Sequence, residues 1–152
     1  MTTSISIDLT QRPPRSQRVR LGGYVMLPRI LDKGRALNAG KIGEYRYGAR
    51  SMDRHFLNFT GIDPDALLAE LATGKGDGEI LAWVEANAKH ARTPWEISAW
   101  SEHHLHRGPD SDAETLGDFA AAVAKFSTTR EDIKTWFDLL DLDDHCTFGG
   151  KA

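Results

Sequence analysis

Apolar residues recur at three- and four-residue intervals through most of this chain, and glycines, prolines and capping residues cut the pattern into helix-length pieces. The stretch 77–107 is the most clearly punctuated. Asp77 stands where a capping carboxylate would accept a free backbone N–H at the positive end of a helix dipole. Ile80, Leu81, Val84 and Ala88 follow at helical spacing. Thr93-Pro94 restarts the chain with a capping hydroxyl and a proline whose missing N–H costs nothing in a first turn. Gly108-Pro109 stops it again. On the helix between them, Ile97, Trp100, His104 and Leu105 share one side, and Trp95, Ala99, His103 and His106 the opposite side. A helix with apolar groups on two sides is usually sandwiched, so this one is expected to be central.

The rest of the chain follows the same logic. Residues 1–16 read as an irregular N-terminal arm, because Gln11-Arg12-Pro13-Pro14-Arg15 cannot start a helix. Leu21, Tyr24, Val25, Leu27, Ile30 and Leu31 predict a helix from about Val19 to Ala39, bent or split where Gly22-Gly23 and Pro28 interrupt it. Arg29, Asp32, Lys33 and Arg35 lie on its polar side. Gly43 to Gly48 alternates aromatic and charged residues, which gives one short extended segment near residues 44–47. The loop 40–51 is the best candidate for a hinge.

Ser51 opens a short helix carrying Phe56, Leu57 and Phe59, closed by Gly61. Asp63-Pro64 opens another with Leu67, Leu68 and Leu71, ended by Gly74. Asp112 caps a helix with Leu116, Phe119 and Val123. Thr128 and Glu131 have capping-box spacing before the stripe Ile133, Trp136, Phe137 and Leu140. Residues 141–152 read as an irregular tail. The expectation is therefore an all-α single compact domain, 1–152, of six or seven helices.

Composition narrows the class. The length suits one domain, and no run of about 18 apolar residues is present to cross a membrane. The start of the chain has no apolar signal-peptide core. The single cysteine, Cys146, excludes an internal disulfide framework, and a cytoplasmic location is the plain expectation. The net charge of −3 is unevenly spread. Residues 1–54 hold eleven Lys/Arg against four Asp/Glu, and the remainder eight against eighteen. Packing of the basic part on the acidic part explains this better than nucleic-acid binding, which usually needs a domain basic overall.

Candidate chemistry is sparse. Arg29, Lys33, Tyr45, Tyr47, Arg54 and His55 combine guanidinium, ammonium and aromatic groups suited to a small anionic or aromatic ligand, and they are the preferred ligand-binding set. Glu102, His103 and His106 share helix faces at three- and four-residue spacing and form the weaker, metal-binding set, with His90, His104 or Asp110 as further ligands. No paired cysteines and no His-Glu-x-x-His motif support that set. No nucleophile elbow surrounds a serine. Gly74 to Gly78 lacks phosphate-loop spacing and reads as a turn. No cofactor is predicted. A ligand- or partner-binding module is the first expectation. The alternative is an acid–base or metal-dependent enzyme using Glu96, Glu102, His103 and His106 on the helix 94–107. A homodimer is compatible with four tryptophans in a short chain.

Three stretches carry a family resemblance: LGGYVMLPRILDKGRA at 21–36, GDGEILAWV at 76–84 and TWFDLLDLDD at 135–144. Together they resemble domain-of-unknown-function family 5069 over nearly the whole chain. The resemblance implies a small stand-alone bacterial protein and carries over no activity, cofactor or catalytic residue.

Overall fold

The computed structural model describes residues 7–152; the part of the expected N-terminal arm before residue 7 lies outside them. The described residues form seven helices and one two-stranded sheet, an essentially all-α fold. None of these helices is long and apolar enough to cross a membrane. The chain falls into two compact units, one ending at Trp100 and the other spanning Ser101–Ala152.

In the first unit, β1 (Arg20–Leu21) and β2 (Tyr24–Val25) form an antiparallel hairpin, with Arg20 opposite Val25 and Leu21 opposite Tyr24. This corrects the expectation of a helix from Val19. Gly22 and Gly23 have φ of 59° and 84°. Two consecutive positive-φ residues make the primed turn whose twist matches that of paired strands. Helix α1 (Leu27–Asn38) begins only afterwards, with Pro28 in its first turn, where it starts the helix instead of kinking it.

Helix α1 is the centre of this unit. Leu27, Ile30 and Leu31 are fully enclosed, and Arg29, Asp32 and Lys33, on the side expected to be polar, are buried as well. Helix α3 (Pro64–Leu71) approaches closely at Gly34. A Cβ there would overlap Leu71 Cδ1 and stand 3.1 Å from Tyr47 Cε2. The charges inside are matched. Lys33 Nζ donates to Asp53 Oδ1 at 2.7 Å and to the Arg46 carbonyl at 2.9 Å. Arg15 bridges Asp32 and Asp77, and Arg35 also reaches Asp77 at 2.8 Å. Part of the basic N-terminal excess is thus spent on carboxylates within the unit.

Asp77 is accordingly the first residue of α4 (Asp77–Asn87), not its cap. The Gly76 N–H is met by Glu79 Oε1 at 3.3 Å. The loop 40–51, expected as a hinge, is bonded to the body. Leu9 N–H donates to the Lys41 carbonyl, Tyr47 Oη to the Pro64 carbonyl at 2.7 Å, and Gly48 N–H to Asp53 Oδ2 at 2.9 Å. Residues 45–47 form no strand ladder.

Helix α5 (Pro94–His106) is capped as expected: Thr93 Oγ1 accepts from Glu96 N–H, and Glu96 Oε1 accepts from Thr93 N–H. It is not the sandwiched centre. The side bearing Ile97, Trp100, His104 and Leu105 packs, whereas Trp95, Ala99, His103 and His106 face solvent, Trp95 being 77% exposed. The exposed side mixes one tryptophan with two imidazoles. Around Trp100, Tyr24, Phe56 and Phe59 make an aromatic cluster, with Phe59 stacked on Trp100 at 5.1 Å.

In the second unit, Asp112 Oδ1 accepts from Thr115 N–H to cap α6 (Ala113–Ala124). The last helix, α7 (Trp136–Thr147), starts later than the Thr128–Glu131 spacing suggested and runs through residues expected to be irregular. Thr135 and Asp138 form its capping box, while Ser127 Oγ instead accepts the N–H groups of Thr129 and Arg130 in a turn. Phe119 meets Trp136 edge to face at 5.0 Å, and the Arg107 guanidinium lies 6.0 Å from the same ring.

Candidate functional site

Helix α2 (Asp53–Thr60) has two working faces. Asp53, Phe56 and Thr60 point inward and are buried. Arg54, Leu57, Asn58 and Gly61 recur at i, i+3, i+4 and i+7 and line one side of a groove of about 410 Å³. Its other walls are Ile62, Asp63 and Pro64 at the turn into α3, Lys89 and His90 after α4, and Ala49.

Elementary helix chemistry holds these walls together. The last carbonyls of a helix lack intrahelical partners. At the end of α2, the Thr60 carbonyl accepts from His90 N–H at 3.1 Å, and the Phe59 carbonyl from Arg92 Nε at 3.0 Å. The Arg92 guanidinium also covers the Phe59 ring at 4.4 Å. The segment after α4 is therefore pinned by its own donors onto the C-terminal end of α2. Gly61 makes this possible twice over. Its φ of 71° turns the chain out of the helix, and a Cβ there would stand 2.8 Å from Lys89 Cβ and 3.0 Å from the His90 ring.

The groove gathers uncommitted donors. Among the described residues, no side-chain hydrogen bond or ion pair engages Asn58, Lys89 or His90. Arg54 gives one N–H to the Ser51 carbonyl at 3.1 Å and keeps the rest of its fork. The one carboxylate, Asp63, accepts from Ala66 N–H at 3.0 Å as the cap of α3. Arg54 and Lys89 set two cations in the lining against the one carboxylate of Asp63.

The six residues proposed for a ligand do not share this groove; only Arg54 lines it. Arg29 is buried, its guanidinium 5.4 Å from the Tyr45 ring and Nη1 donating to the Arg15 carbonyl. Lys33 and Tyr47 are brought together around Asp53 and the loop before it, each spent on internal hydrogen bonds. Burial pushes the Tyr47 phenol well above the usual tyrosine range, with Asp53 adding to the shift. His55 is half-buried outside the groove.

For the metal set, His106 Nε2 lies 3.4 Å from Glu102 Oε2, and the His103 ring packs on His104 at 5.1 Å. Among the described residues no three His, Cys, Asp or Glu groups converge to cage an ion. Glu96, held below the usual glutamate range by the backbone and hydroxyl of Thr93, caps α5.

The second unit has its own groove, of about 370 Å³, lined by Arg130, Asp132 and Ile133 with Asp138, Asp141, Leu142 and His145 of α7. Its charges are largely satisfied internally. Arg130 clasps Asp132 through two bonds of 2.6 and 2.7 Å and lowers its pKa to about 2. His145 Nε2 lies 3.1 Å from the Lys151 carbonyl.

Asn58, Gly61 and Lys89 belong to neither sequence-derived set, and His90 entered only as a further ligand of the metal set. The α2 stripe was legible as a helical face, but nothing in the order of residues brings Lys89 and His90 to Gly61. No curated protein matches the chain. The three sequence stretches that carried the resemblance nevertheless belong to one continuous match over residues 11–146, and the chain is a member of DUF5069, a domain of unknown function.

Proposed function

We propose that this protein is a binding module whose α2 groove takes a small anionic ligand. The observation that carries the reading is the convergence of Arg54, Asn58, Lys89 and His90 on one surface with their polar atoms largely uncommitted. The charged groups around α1, by contrast, are spent on one another. Arginine supplies a planar fork and lysine a mobile point charge, a pairing suited to oxyanions. Titrating the full chain with inorganic phosphate and with benzoate, followed by backbone amide NMR, tests it. Shifts confined to residues around Arg54, Asn58 and Lys89 support the reading, and their absence at low salt refutes it.

The same reading places the protein in a bacterial cytoplasm, where a lone thiol such as Cys146 stays reduced; cell fractionation checks this. A second reading, an acid–base enzyme, rests on the Glu102–His106 pair at 3.4 Å, although both side chains are more than half exposed. Glu102→Gln abolishes any such activity if the pair is its source.

A further inference from the structure

We infer, on the basis of the binding function just proposed, that the ligand is a phosphate monoester with an apolar or aromatic body. The number of donors points to the head group. Arg54, Asn58, Lys89 and His90 reach the groove from two separate segments. A carboxylate has two oxygens, and one guanidinium fork satisfies both. A phosphoryl group has three terminal oxygens and a charge of about −1.5 to −2 near neutral pH, so it can occupy several donors at once.

The apolar lining points to the body. Leu57, Ile62, Pro64 and Ala49 share the groove with the polar groups. Its volume of about 410 Å³ lies within the range of about 300–1,000 Å³ typical of organic-ligand sites and is far more than a bare oxyanion fills. The walls are fixed in advance, because His90 N–H and Arg92 Nε are bonded to the end of α2 and Gly61 admits Lys89 and His90 at close range. A ligand meeting this surface has little backbone to order, which favours binding. Asp63 is the opposing charge, and its position at the cap of α3 places it on the wall beside Pro64. It disfavours a second anionic group at that wall and suits a neutral body there.

The test uses phenyl phosphate, inorganic phosphate and benzoate as probes of the full chain, by calorimetry and amide NMR at one ionic strength. Phenyl phosphate is expected to bind at least tenfold more tightly than either other probe. Arg54→Gln combined with Lys89→Gln is expected to reduce that affinity at least tenfold while leaving the thermal midpoint in place, since both side chains are exposed. Inorganic phosphate binding as tightly as phenyl phosphate overturns the apolar body. Benzoate binding as tightly overturns the phosphate head, while the anion-binding function stands. No response at the groove to any probe overturns both.

Discussion

Asp53→Asn would leave the Lys33 ammonium enclosed without its counter-charge. The pair is 2.7 Å long, with side chains 6% and 2% exposed, so neither group can turn to water. Removing one partner of a buried ion pair costs about 3–5 kcal/mol, because the survivor keeps its desolvation penalty. Lys33 retains the Arg46 carbonyl at 2.9 Å, but the single asparagine oxygen can serve only one of the two donors that Asp53 now serves, Lys33 Nζ and Gly48 N–H, so a loss of at least about 3 kcal/mol is expected. With a urea m-value of about 2 kcal/mol/M, the midpoint of denaturation falls by about 1.5 M. Tryptophan fluorescence reads this through Trp83, Trp95 and Trp100 of the first unit. The double variant Lys33→Met, Asp53→Asn removes the stranded charge as well and is expected to return to within about 1 kcal/mol of the parent. A midpoint shift below about 0.5 M in the single variant, or a double variant no more stable than the single, refutes the argument that the pair is coupled by burial.

Gly34→Ala gains about 1 kcal/mol of helix propensity but forces a methyl group into Leu71 and Tyr47, an overpacking worth about 1–3 kcal/mol; calorimetry should show a lower Tm, and a higher one contradicts the close approach of α1 and α3. Gly61→Ala combines a left-handed backbone with a Cβ 2.8 Å from Lys89, so hydrogen exchange at His90 N–H is expected to accelerate as its bond to Thr60 loosens. Asp77 is held below the usual aspartate range first by its hydrogen bond from Arg15 and then by Arg35. Its contribution to stability is therefore present above about pH 4 and lost as the pH falls below that, and Asp77→Asn should be less stable at pH 7 yet show a flatter acid limb. The Tyr47 phenol is raised, so the stability it contributes is present below about pH 10 and lost at higher pH; Tyr47→Phe should lose about 1 kcal/mol at neutral pH with its bond to Pro64, and decline less steeply in alkali.

Local chemistry was legible wherever one residue decided the outcome. Asp63-Pro64, Thr93-Pro94 and Asp112 each open a helix where their capping groups stand. The failures came where two local signals competed or where the partner was remote. Gly22-Gly23 interrupts a helical pattern, yet two adjacent glycines also make a hairpin turn, and Tyr24 and Val25 are buried in the strand that follows it. Thr128–Glu131 and Thr135–Asp138 have the same spacing, and only the second leads directly into the Trp136–Phe137 stripe. Arg29, Asp32 and Lys33 looked like a solvated face because their partners, Arg15 and Asp53 among them, lie far away in sequence. The groove shares that difficulty: its α2 stripe is periodic, whereas the arrival of Lys89 and His90 is a tertiary event.

The enclosure of α1 also bears on how the chain is made. Arg35 waits for Asp77, 42 residues downstream, and Leu71 must arrive before the Gly34 face is covered. At about 5–20 residues per second of synthesis, that interval lasts about 2–8 s. During it, the emerging segment shows its leucines and isoleucine, and the Arg35 guanidinium has yet to meet Asp77. The first unit can complete the Arg35–Asp77 pair only once the start of α4 has cleared the ribosome.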